Sequence, residues 1–147
     1  MERLTRCQEP GVRRQERANT LFYMVRDVTE LEAYKMSYQL AMDLFKISQK
    51  FPPEERFALT SQIRRSSRSV PMNLSEAWAK RRYEAHFISK LSDCDGENSE
   101  TATSIDFARD CGYITSDQAC ELLDTNRQIG RLLGSMINKP SRWIIKP

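Results

Sequence analysis

The sequence predicts an all-α fold, an antiparallel up-down four-helix bundle with a proline kink in helix two. Three observations carry this expectation. Four segments place their apolar residues at alternating spacings of three and four, the period that lines one face of an α-helix. Capping residues, prolines and glycines divide those segments at short intervals, and short connections make consecutive helices antiparallel neighbours. No stretch of useful length alternates apolar and polar residues, which excludes a sheet.

With 147 residues the chain is one domain by length, and 39% hydrophobic against 29% charged residues is the balance of an ordinary globular domain. Residues 1–28 mix charges of both signs with Pro10 and Gly11 and have little apolar periodicity, so a disordered arm is expected there. Met24 stands just before the first periodic segment and is an alternative start. The bundle is expected over 29–138 and a tail over 139–147. The longest apolar run near the N-terminus, residues 21–25, is too short for a membrane span or a signal-peptide core. A cytoplasmic protein with no membrane partner is the expectation.

Helix one should open at Thr29, with Glu32 three residues on closing a capping box. Leu31, Tyr34, Tyr38, Ala41, Phe45 and Ser48 form its expected seam, and Leu40, Met42, Leu44 and Ile47 add apolar surface beside it. That surplus points to an oligomer contact. Phe51-Pro52-Pro53 ends the helix. Helix two should start at Pro53, which suits the first helical position, with Glu54 and Glu55 on the positive end of the helix dipole. Leu59, Ile63, Val70, Leu74 and Ala77 mark its inner side. Pro71 cannot donate to the carbonyl of Ser67 and should bend it, with Ser66, Ser67, Ser69 and Asn73 near enough to compensate.

Helix three carries Phe87, Leu91, Cys94, Asn98, Thr101, Ile105 and Ala108 in strict alternation down to Gly112, a C-cap glycine. Helix four should start at Thr115, with Gln118 completing a second capping box, and its seam is Ala119, Leu122, Asn126, Ile129, Leu133 and Met136. Gly96, Gly130 and Gly134 lie inside these helices, where close helix packing is the expected reason for them. The tail cannot continue the helix, and its apolar centre, Trp143 to Ile145, is expected to dock in a groove.

The net charge of +3 hides an uneven distribution. Residues 56–82 hold seven Lys or Arg against the single acid Glu76, whereas residues 83–110 hold seven acids against Lys90 and Arg109. Arg64, Arg65 and Arg68 fall on one helix face, with Lys80, Arg81 and Arg82 beyond the proline. Such clusters attract phosphate backbones. The alternative is that they pair with the acids of helix three. Between subunits, a basic and an acidic face make a heterologous contact, which closes into a ring when the rotation allows. Asp93, Glu97 and Glu100, at spacings of four and three, are the acids placed at that expected subunit interface.

Enzymatic chemistry finds little support. His86 is the only histidine, and it has no Cys, His or acid at metal-ligand spacing; no glycine-rich phosphate loop or nucleophile motif occurs. The three acids lack the Glu-x-x-His elements of a di-metal bundle. No metal and no cofactor are expected. Cys7, Cys94, Cys111 and Cys120 show no CxxC spacing, so buried thiols are expected rather than a zinc site or a disulfide framework.

Several pieces combine in one register: Tyr34-Lys35; Phe51-Pro52 with Glu55 and Phe57; Leu59 and Gln62-Ile63-Arg64-Arg65; Ser69-Val70-Pro71 with Asn73 and Glu76; then Gly96 with Glu100 and Gly112-Tyr113-Ile114. In this combination the chain resembles the four-helix-bundle family named for proteins encoded in intervening sequences of bacterial 23S ribosomal RNA. It departs at Ala77, where the family commonly has glycine, and in the acidic run Asp93-Cys94-Asp95-Gly96-Glu97. The resemblance implies a bundle that assembles into a homo-oligomeric ring, a homopentamer, without assigned enzymatic activity. A related bundle is the accessory protein of diversity-generating retroelements, whose basic ring surface engages nucleic acid and reverse transcriptase. By that analogy RNA or DNA is the expected further partner. A protein-interaction ring with no nucleic-acid role is the alternative.

Overall fold

The computed structural model describes residues 24–146. The expectation of a disordered arm falls, for residues 1–23, outside the described residues. Four helices follow one another: α1 (Glu32–Ser48), α2 (Leu59–Ala79), α3 (Glu84–Asp110) and α4 (Ser116–Asn138), with 3-10 turns at Val28–Glu30, Pro53–Glu55 and Pro140–Arg142. Each helix packs on its sequence neighbour, and α1 closes against α4, while the two diagonal pairs stay apart. This is the up-down bundle. The broadest contact is that of α2 on α3.

The seams of α2, α3 and α4 are placed as their periodicity predicts. Ile63, Val70, Leu74 and Ala77 of α2 are buried, with Leu59 half-buried at the start of the helix, and all seven named positions of α3 and all six of α4 are buried. The seam of α1 is different. Its core face is Ala33, Ser37, Leu40, Ala41, Leu44 and Ser48, whereas Tyr38 is 54% exposed and Tyr34 only half-buried. Small Ala33 and Ser37 let α1 approach its neighbours, and the tyrosines take the flank, where a phenol tolerates water. Counting large apolar residues therefore rotates the predicted face.

Two helix starts also differ from expectation. Thr29 does not cap α1, because its N–H and hydroxyl both donate to Asp27 Oδ1, at 2.8 and 2.6 Å, which closes a separate 3-10 turn. Val25, ahead of that turn, and Val28, its first residue, already pack on the core. Pro53 opens only a 3-10 turn, and α2 begins after Ala58, whose ψ of −106° breaks the run. Glu55 then serves as the cap, since its Oε2 accepts the N–H of Leu59 at 2.9 Å. The other helix ends are as read. Thr115 and Gln118 form a reciprocal capping box on α4. Gly112, at φ +79°, ends α3 in a Schellman motif, with Tyr113 N–H on the carbonyl of Ala108 and Gly112 N–H on that of Arg109, both at 2.9 Å.

Helix α2 runs through Pro71. Hydroxyls of Ser66, Ser67 and Ser69 donate to carbonyls one turn back, and Asn73 Nδ2 donates to the carbonyl of Ser69 at 2.9 Å. Cys94 Sγ lies 3.5 Å from the carbonyl of Val70. Beside the proline the core turns polar: Thr101 Oγ1 donates to Ser66 Oγ at 3.0 Å, and Asn98 pairs with Asn126. Among the described residues every buried side-chain nitrogen and oxygen has a hydrogen-bond partner.

The helix glycines are not in close packing. A Cβ at Gly96 or Gly134 would meet nothing within 4 Å, and one at Gly130 would meet Asn98 Nδ2 at an ordinary 3.5 Å. Within the protomer no neighbour requires them. Cys94 is a buried thiol and Cys111 an exposed one, but Cys120 is disulfide-bonded. That state departs from the expectation of buried thiols.

Candidate nucleic-acid interface

The outer side of α2 carries the arginine cluster. Arg64 and Arg68 both reach back over α1, where their guanidinium carbons lie 4.9 and 5.5 Å from the ring centroid of Phe45. Arg64 Nε also donates to Ser48 Oγ at 2.8 Å. Aromatic contact holds these cations in place without neutralising them. Arg56, in the turn before α2, lies 5.2 Å from the ring of Phe57, which is 88% exposed. Among the described residues none of Arg56, Arg64 and Arg68 forms an ion pair. Together with Arg65 and Met72 they border an open depression of about 640 Å³.

Arg65 is engaged differently. Its guanidinium makes a two-pronged contact with Glu97, both at 3.2 Å, and a 2.7 Å contact with Glu100, which also accepts from the Gln62 amide. These hydrogen bonds to the α3 carboxylates, Glu97 first and Glu100 second, raise the Arg65 pKa further. Asp93 pairs with Lys90 at 3.3 Å, and Lys90 also reaches Glu76. All three acids expected at a subunit interface thus have partners within the chain.

At the far end of α2 the three cations separate. Lys80 pairs with Glu76 at 3.0 Å, and the Glu76 carboxyl is held below its ordinary range by the hydrogen bond from Lys80 and then by that from Lys90. Arg81 stacks on Trp78 with its guanidinium carbon 4.0 Å from the ring and donates to the Trp78 carbonyl at 2.8 Å. Arg82 is exposed and, among the described residues, outside any ion pair. The structure therefore sets Arg64 and Arg68 together, turns Arg65 toward α3, and leaves Arg82 apart. Sequence reasoning left Arg56 and the Phe45 platform out of the site. Arg56 was visible as a member of the basic segment, whereas Phe45 lies on another helix and no sequence spacing announces it.

A second, more apolar depression of about 280 Å³ adjoins this face between α1 and α2, bordered by Tyr34, Tyr38, Met42, Pro71 and Met72. Met72 is 70% exposed. His86 is exposed beside Tyr83, with ring centroids 5.7 Å apart. Among the described residues no group of three or more His, Cys, Asp or Glu is placed to hold a metal, and no helix is long and apolar enough to cross a membrane.

The fold and this surface define a small four-helix bundle with a basic, aromatic-lined outer face. A family profile described as 23S rRNA-intervening sequence protein matches residues 29–135, and the chain belongs to that family. The chain is also similar to a crystal structure from Bacteroides thetaiotaomicron VPI-5482, a protein with unknown function from the S23 ribosomal protein family. That match has a TM-score of 0.66 and 27% sequence identity, and it covers 72% of this chain and 95% of the other. No curated protein matches.

Proposed function

We propose that the protein is a non-enzymatic homo-oligomeric ring that binds RNA through the basic face of α2. The observation that carries this reading is the trio Arg56, Arg64 and Arg68. These cations are held by aromatic rings and, among the described residues, lie outside every ion pair, so their charge remains available to phosphate. Arg82 extends the same character past the end of α2. Exposed Tyr38, Met42 and Met72 supply the apolar surface through which copies assemble. Asp93, Glu97 and Glu100 flank that assembly, and a partner copy would have to compete with Lys90 and Arg65 for them.

The test is fluorescence anisotropy of the protein against structured RNA, DNA duplex and single strands across a salt series, with native mass measured in parallel. Steep salt dependence that weakens in Arg64→Ala with Arg68→Ala, at unchanged mass, supports the reading. Absence of binding at low salt sinks the RNA role. A mass that falls in Met72→Glu without RNA binding in the parent leaves a protein-interaction ring, a reading favoured by the apolar depression beside Met72.

A further inference from the structure

We propose that the end of the bundle where the C-terminal tail meets α2 binds an unpaired nucleotide of single-stranded RNA. The base would lie against Trp143 and the phosphate on Arg142 and Arg26. This inference rests on nucleic acid being a ligand and adds a second contact, separate from Arg64 and Arg68.

The tail builds the site. After the turn at Pro140–Arg142, Trp143 sets its ring edge-on to Trp78, with centroids 6.4 Å apart, and the N–H of Ile145 donates to the carbonyl of Arg81 at 3.3 Å. These contacts border a half-open cavity of about 710 Å³, to which Arg26 contributes from ahead of α1. Its walls are two indoles and aliphatic side chains, its cations are Arg26, Arg81 and Arg142, and among the described residues no acid lines it. Among the described residues none of these three arginines forms an ion pair. Arg81 is part of the wall, stacked on Trp78; Arg26 and Arg142 are exposed, and the Arg142 guanidinium carbon lies 5.3 Å from the Trp143 ring centroid, which leaves the ring's other face for a base. The three segments that meet here, residues 24–30, 78–82 and 139–146, hold seven Lys or Arg against Asp27 and Glu30.

A ligand matched to this lining is anionic and also presents a flat apolar face. An unpaired nucleotide has both, since its base can stack on an aromatic ring or a guanidinium plane while its phosphate meets a cation. A duplex keeps its base faces stacked on one another and cannot offer them. An acidic peptide supplies charge but not the planar face that two indoles favour.

Trp78 and Trp143 are the only tryptophans of the chain, so intrinsic fluorescence reports this cavity directly. The full chain is titrated with short oligoadenylate and oligouridylate, with duplex RNA of equal length and with polyglutamate, following fluorescence and anisotropy together. The expected result is saturable quenching by the single strands, with duplex about tenfold weaker. Arg142→Gln should lower the salt slope by about one, and Trp143→Leu should weaken binding by about tenfold. If Trp143→Leu loses helicity, Arg142→Gln, on an exposed side chain, decides. RNA binding seen by anisotropy without quenching, and unaffected by Arg142→Gln, overturns this site and leaves the α2 face intact. No response in either signal overturns both. Quenching by polyglutamate as strong as by RNA assigns the cavity to an acidic peptide and ends the nucleotide proposal.

Discussion

Asn98 on α3 and Asn126 on α4 exchange hydrogen bonds across the buried core, each side-chain amide donating to the other residue's backbone carbonyl, at 2.9 and 2.8 Å. Asn126 Nδ2 also lies 3.0 Å from Asn98 Oδ1. Both side chains are buried, at 4% and 5% exposure, so neither amide has water as a substitute partner. The pair fixes the sliding register of α3 on α4, which apolar contacts alone would leave loosely set.

Asn126→Ala removes one partner and strands the side-chain Oδ1 of Asn98, whose backbone carbonyl keeps its place in α3. It should lower stability by about 2–3 kcal/mol in urea unfolding. Replacing both residues by Leu should cost less than the sum of the single changes, because no polar group is then left stranded.

Tyr113 donates its hydroxyl to Glu55 Oε1 at 3.0 Å, joining the turn before α2 to the turn after α3. The hydrogen bond to Glu55, helped by desolvation, pushes the phenol up to about 12. An unfolded tyrosine ionises near 10. The contribution of this contact is thus complete below about pH 10 and declines as pH rises from there toward about 12. Ultraviolet titration should find one tyrosine ionising late, and Glu55→Gln should bring it back toward the others.

Arg65→Ala should change stability by less than about 1 kcal/mol, since its contacts with Glu97 and Glu100 lie in solvent. It should also reduce RNA affinity less than Arg64→Ala does. An equal loss in both variants would show that Arg65 leaves its acids when RNA arrives, and parallel salt titrations distinguish the cases.

Among the described residues, the free thiols Cys94 and Cys111 should separate in reactivity. Burial pushes the Cys94 thiol up to about 12, whereas Cys111 is exposed. Brief treatment with iodoacetamide followed by peptide mass mapping should label Cys111 and spare Cys94 until the protein is unfolded.

Gly96→Ala and Gly134→Ala should each stabilise the protomer by about 0.5–1 kcal/mol, because a methyl group there meets no neighbour. Thermal unfolding measures the gain. If Gly134→Ala also lowers the native mass, that strip is covered in the assembly.

The helices were legible where burial repeats along one element: the seams of α3 and α4 follow from spacing alone. Where small residues make the contact, as at Ala33 and Ser37 of α1, a count of large apolar side chains points to the wrong face. The starts of α1 and α2 were obscured by carboxylates, because Asp27 captured Thr29 and Glu55 capped Leu59 from outside the helix. The charge clusters could be read as composition but not as pairings. Arg65 meets Glu97 and Glu100 through the α2–α3 contact, and Arg64 and Arg68 meet Phe45 through α1 against α2. These are products of the tertiary fold, and local spacing carries no record of them.

The strict neighbour-to-neighbour order of the helices has a kinetic meaning. With most contacts made between adjacent helices, little loop closure precedes them, and folding in microseconds to milliseconds is expected. A chain emerging from the ribosome can pair α1 with α2, and then α2 with α3, before α4 has been made. The seating of Trp143 on Trp78 requires residues that follow α4, so it forms only after all four helices have been made. A protein truncated at the end of α4 would therefore keep its bundle while lacking the contact of Trp143 with Trp78.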